Sequence, residues 1–190
     1  MFFWSRPSPS AIAAFLAGLK NQRFSYDEVG RSRGEMPSGY TVDHNRVRLG
    51  TGAEVFERAK SAIRLWKMFD LSWVNLCWPD TPIEPGAVVA SLMSHLGFWS
   101  LNGCRIVYLI EERGTTERFG FAYGTLLDHA EIGEERFLVE FNPEDQEVWY
   151  DIRAFSRPRT LARLGYPITR GLQSRFVRDS KAAMLRAVRG

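Results

Sequence analysis

The sequence predicts an α+β domain in which a strongly curved, seven-stranded antiparallel sheet wraps around one long C-terminal helix, with an extra helix at the N-terminus. Two observations lead there. Between Pro158 and Gly190, Leu161, Leu164, Ile168, Leu172, Phe176, Ala183, Met184, Ala187 and Val188 recur at mostly three- and four-residue steps, the stripe of an amphipathic helix. The preceding residues, from Leu71 onward, break into strand-like runs joined by short loops. Short loops make an antiparallel meander, because parallel pairs need long crossovers. A curved sheet must cover its concave face, and only the final helix is long enough to do so.

Taken in order, Ile12, Phe15, Leu16 and Leu19 fall at i, i+3, i+4 and i+7, an amphipathic helix that Ser8 or Ser10 caps with Pro9 in its first turn. Residues 21–39 carry Gly30, Gly34, Pro37 and Gly39 among charges and read as an irregular arm. The predicted boundary therefore separates an N-terminal helix and arm, 1–39, from a single domain, 40–190. Tyr40 to Leu49 is a first strand with Val42 and Val47 as core positions. Thr51-Gly52-Ala53-Glu54 has the pattern of a capping box and opens a helix expected to run to about Met68.

Leu71 to Trp78 reads as a strand ended by Pro79. Val88–Leu96 and Cys104–Glu111 form a hairpin across residues 97–103. Phe119 to Leu126 alternates aromatic residues on one face with glycine and alanine on the other, so the strand can bend or admit something close to its backbone. Gly133 marks a turn, Phe137, Val139 and Phe141 alternate inward, and Val148–Phe155 is the last strand.

At 190 residues, 45% hydrophobic and 25% charged, the chain has the composition of a globular domain with its own core. No apolar run approaches the roughly 20 residues of a membrane span, and no signal peptide is recognisable. Cys77 and Cys104 are too few for a disulfide framework and are expected as buried free thiols, so the chain reads as cytoplasmic. The net charge of +3 is unevenly spread: from Arg153 onward there are ten Lys+Arg and one acid, Asp179. Such a segment is either the solvated face of a buried helix or a phosphate-binding surface carried by Arg163, Arg170, Arg175 and Arg178.

Metal and nucleophile chemistry find little support. His44, His95 and His129 have no second ligand at zinc spacing, no G-x-S-x-G elbow is present, and no cofactor fingerprint occurs. Gly50-Thr51-Gly52 is explained by a tight turn into the helix. His129 is expected as an exposed turn residue. The polar groups inside strands are more informative, because buried polar groups require partners. Arg105, Tyr108, Phe121, Tyr123, Thr125, Trp149 and Asp151 are the candidate ligand-binding set. Strict alternation puts Ile106, Tyr108 and Ile110 on one face, and Phe121, Tyr123 and Thr125 on one face. The competing reading of the same groups is an internal ion pair of Asp151 with Arg105 or Arg153.

Several segments resemble the uncharacterised protein family 0548: FSYDEVG at 24–30, RVRLGTGAEVFERAKSAIRLW at 46–66, NGCRIVYLIEE at 102–112, RFGFAYGTLLDHAEIGEERFLVE at 118–140 and VWYDIRAFSRPRTLARLGYPITRGLQSRF at 148–176. The order of elements resembles the helix-grip fold of START and birch-pollen-allergen domains. That resemblance implies a cavity between helix and sheet for an apolar or amphipathic small molecule, and a non-enzymatic binding module. Nucleic-acid or polyanion binding through the arginines is the alternative. An enzyme using His129, Tyr123 or Asp151 in acid–base roles is the third reading. The oligomeric state is open.

Overall fold

The computed structural model describes residues 1–78, 80–95, 97–159 and 166–189. Its elements are β1 (Phe2–Phe3), α1 (Pro9–Leu19), β2 (Thr41–Thr51), α2 (Ala53–Arg64), β3 (Val74–Cys77), β4 (Val88–His95), β5 (Phe98–Glu112), β6 (Glu117–Thr125), β7 (Glu131–Phe141), β8 (Glu147–Pro158) and α3 (Tyr166–Arg189). Seven strands lie in the order β2-β8-β7-β6-β5-β4-β3, every pair antiparallel, and β1 adds a short pairing to β5. This is the curved antiparallel sheet with N-terminal and C-terminal helices that the sequence predicts.

One apolar cluster fills the part of the concave side under α2 and the second half of α3. Phe176, Met184 and Val188 of α3 meet Phe121, Phe137 and Tyr150 of the sheet and Phe56, Ala59 and Ile63 of α2. A second lies on the convex side, where Phe15, Leu16 and Leu19 of α1 cover Ala90, Leu92 and Leu101. The cap of α1 is as expected, with Ser8 accepting from the Ala11 amide at 3.2 Å and Pro9 in the first turn. Both cysteines are buried and free.

Several local expectations give way to tertiary packing. The Thr51–Glu54 capping box does not form: Thr51 is the last residue of β2, and Gly52 at φ 92° is the N-cap without a side-chain bond. Strand pairing as far as Glu147 claims Thr51 for the sheet. Helix α2 stops at Arg64 rather than Met68, because Trp66 turns left-handed at φ 55°. That turn buries its indole 4.9 Å from the Phe121 ring and sends Met68 and Phe69 into the core. Residues 98–103 continue β5 rather than linking a hairpin, and Gly133 lies inside β7, not in a turn. A Cβ at Gly133 would sit 2.0 Å from the Phe155 carbonyl oxygen, so the strand passes there only as glycine. Val42 faces solvent, 46% exposed, because Asp43, Asn45 and Val47 take the inner phase of β2. The expected helix positions Leu161 and Leu164, the strand ends Pro79 and Leu96, and Arg163 lie outside the described residues.

The arm between α1 and β2 is bound to the convex face. Glu134, 2% exposed, accepts from Tyr26 Oη and the Gly30 amide, both at 2.7 Å, from the Ser32 amide at 3.0 Å and from the Ser32 hydroxyl. Tyr26 and Phe24 press on Gly124, where a Cβ would stand 2.0 Å from Tyr26 Oη. The small face of β6 thus admits the arm.

Candidate functional site

The second half of α3 is packed against α2 and the sheet, while its first half spans a cavity of about 1340 Å³. The inner phase of six strands forms the floor, including Asp43 and Asn45 of β2, Ile152 and Ala154 of β8, Glu131 and Glu135 of β7, and Tyr123 and Thr125 of β6. Ser100 and Asn102 of β5 and Met93 and His95 of β4 continue it. Ile168, Leu172, Phe176 and Val177 of α3 roof it, Trp73 adds an indole, and the 127–130 loop with Phe2 and Phe98 borders one end.

Two polar latches hold the roof. Arg170 donates to Asp43 through both Nη atoms, at 2.6 and 2.8 Å, and to Gln173 Oε1 at 2.6 Å. Gln173 Nε2 in turn donates to Ser156 Oγ at 3.0 Å and to Glu131. Deeper in, Tyr123 Oη donates to Glu135 Oε2 at 2.8 Å. Burial pushes the Glu135 carboxyl up to about 7; the Tyr123 hydrogen bond opposes this, and the charges of Glu131 and Asp43 reinforce it. Burial raises Glu131 as well. On the β4–β5 side, Asn102 Nδ2 donates to Ser100 Oγ at 3.2 Å and Ser100 meets His95 Nε2 at 3.1 Å, while Asn102 Oδ1 is buried without a partner.

Of the sequence-derived ligand set, Tyr123 and Thr125 line the cavity. Thr125 has committed its hydroxyl to Ser25 Oγ at 2.6 Å and to Gly133. Phe121 shares the concave face but lies outside the cavity, fully buried against Trp66 and Phe137. The other four are on the outer face. A bulge after Ile106 shifts the register, so Ile106 faces inward opposite Tyr123 while Tyr108 sits opposite Ala122 and bonds Ser32 Oγ at 2.6 Å. The expected shared face of Ile106 and Tyr108 is therefore broken. Arg105 Nη2 donates to the carbonyls of Leu19 and Lys20 and pins the end of α1. Trp149 lies under Arg46, whose Cζ is 4.8 Å from the ring centroid. Asp151 takes His44 Nε2 at 2.6 Å and Arg136 Nη2 at 2.8 Å, not Arg105 or Arg153, because pairing sets Arg46 opposite it and Arg136 diagonal to it.

His129 is half-buried at the cavity edge rather than exposed, its Nδ1 accepting from the Glu131 amide at 3.0 Å. Burial, the chain-terminal ammonium and Arg159 together push it down to about 4. On α3, Arg175 and Arg178 share Asp179 at 3.5 and 3.0 Å, so with Arg170 on Asp43 the described candidates for a polyanion surface are ion-paired. The residues that sequence reading missed are Asn102, Glu131, Glu135 and Gln173. For the two glutamates a signal existed: both are in phase with Phe137, Val139 and Phe141 on β7.

A curved antiparallel sheet closing on a C-terminal helix defines a helix-grip domain. Within that class the chain belongs to the family described as a domain of unknown function, DUF1990, which matches residues 25–183. A UPF0548 protein of Dictyostelium discoideum is 39% identical over 207 residues, covering 99% of this chain and 96% of its own. A UPF0548 protein of Deinococcus radiodurans is 37% identical over 200 residues, covering 98% of each. Among solved structures, human STARD10 is similar with a TM-score of 0.48 and 11% identity, covering 95% of this chain and 81% of its own. No helix among the described residues is long and apolar enough to cross a membrane.

Proposed function

We propose that this chain is a non-enzymatic binding module that holds an apolar or amphipathic small molecule between α3 and the sheet. The observation that carries the reading is the cavity itself, about 1340 Å³ beneath a helix whose other half is packed. A domain gains nothing by leaving such a volume unfilled, since packed interiors leave few voids larger than a water. Ligand sites combine apolar walls with a few placed polar groups, and this one sets Trp73, Ile152, Leu172 and Phe176 around Tyr123 and Glu135. The two polar latches of α3 are breakable without disturbing the apolar half of the helix, which supports entry by movement of the roof.

The test has two parts. Native mass spectrometry and organic extraction of protein purified from its source cell should yield a stoichiometric small molecule. Ala154→Phe, which fills the floor beside Glu135, should fold normally and purify without it. Absence of any co-purifying molecule, together with no thermal shift across a panel of lipids and metabolites, would overturn the reading.

A further inference from the structure

The cavity floor holds a carboxylate with no countercharge. Glu135 projects inward between Tyr123 of β6 and Ala154 of β8. Among the described residues its one hydrogen-bond partner is Tyr123, and no cation forms an ion pair with it. The groups around it offer none. Asp43 from β2 is taken up by Arg170 of α3, and Glu131 from β7 by Gln173. Cys104 from β5 and Tyr150 from β8 are held neutral by burial. Arg178 and Lys181 of α3 line the cavity without reaching this carboxyl. Tyr123 and Thr125 have already given their hydroxyl protons.

A partly buried carboxylate lacking a countercharge is costly, and such groups concentrate at sites that need them. We propose that the molecule held in this cavity is an amphipathic amine, its ammonium paired with Glu135. This rests on the binding-module reading above. The ammonium supplies Glu135 with the missing positive charge and with N–H donors, and charge-assisted hydrogen bonds in a dry site are strong and directional. An opposite chemistry exists at the end of β8, where Arg159 lines the cavity with its Nε buried and unpartnered. A carboxylate amphiphile held there is the competing outcome.

The experiment titrates dodecylamine, dodecanol and dodecanoate, kept below their micelle concentrations, into wild-type protein and Glu135→Gln at pH 8, following tryptophan fluorescence and calorimetry. Wild type should bind the amine about tenfold or more tightly than the alcohol, as expected for one charge-assisted bond, with the carboxylate weakest. Glu135→Gln should bind amine and alcohol about equally. In wild type alone, lowering the pH from 8 to 5 should erase the amine preference as Glu135 takes up a proton, leaving dodecanol binding unchanged. The amine assignment is overturned if wild type prefers dodecanoate, shows no preference, or keeps its preference at pH 5 or in Glu135→Gln. Binding of none of the three probes would overturn the amine assignment, while a small molecule that still co-purifies with the protein would leave the binding-module reading standing.

Discussion

At the scale of single residues, two kinds of side-chain decision stand out: where none fits, and where a proton goes. Gly124 has no room for a methyl group, because Tyr26 of the arm lies against it. Gly124→Ala should cost about 1–3 kcal/mol in urea denaturation, the usual range for overpacking, and loosen the arm. The protons of Glu135 and His129 act in opposite senses. The Glu135 pKa is raised on folding, so its contribution is fully present below the unfolded glutamate value and is lost as pH rises through about 7. The His129 pKa is depressed, so its contribution is present above the unfolded value and is lost as pH falls through about 4. Glu135→Gln should therefore melt higher than wild type at pH 8 without ligand, with the difference vanishing near pH 4. A variant that melts lower at pH 8 would mark Glu135 as structural.

At the scale of elements, α3 is two helices in one. Phe176, Ser180, Ala183, Met184 and Val188 are buried, while the turns before Phe176 rest on Arg170 and Gln173. Arg170→Ala should speed hydrogen exchange at residues 168–175 and leave 183–188 protected. A double-mutant cycle with Asp43→Ala should show a coupling of about 1 kcal/mol for this half-exposed bidentate pair. The arm depends likewise on Glu134, whose carboxylate collects four donors. Removing it leaves buried amides unsatisfied, so Glu134→Ala should expose Arg31 and Arg33 to trypsin while the sheet amides keep their protection. The bulge after Ile106 belongs to this scale too: one extra residue turns Tyr108 from the cavity to the arm.

At the scale of the whole molecule, β2 and β8, far apart in the chain, pair along most of their length. That pairing brings Asp43 over to α3 and encloses the cavity. An occupied cavity should add stability by mass action, about 2.7 kcal/mol when free ligand exceeds Kd about 100-fold. Ala154→Phe should abolish that increment while retaining the melting cooperativity of the empty protein. The basic C-terminal third is also tempered at this scale, since Asp43 from β2 and Asp179 within α3 engage its described candidate arginines.

The sequence by itself determined what local periodicity can encode: the stripe of α3, the Ser8 cap, the aromatic and small faces of β6, and from these the helix-grip architecture. Tertiary structure alone decided the phase of β5, where a bulge reverses the alternation, and the partner of Asp151, which depends on which strands lie beside β8. It also decided that Glu131 and Glu135 line a cavity rather than a packed core. A repeat pattern records which face of a strand is covered. The width of the gap above that face is set by how far α3 stands off the sheet, and no single segment carries that distance.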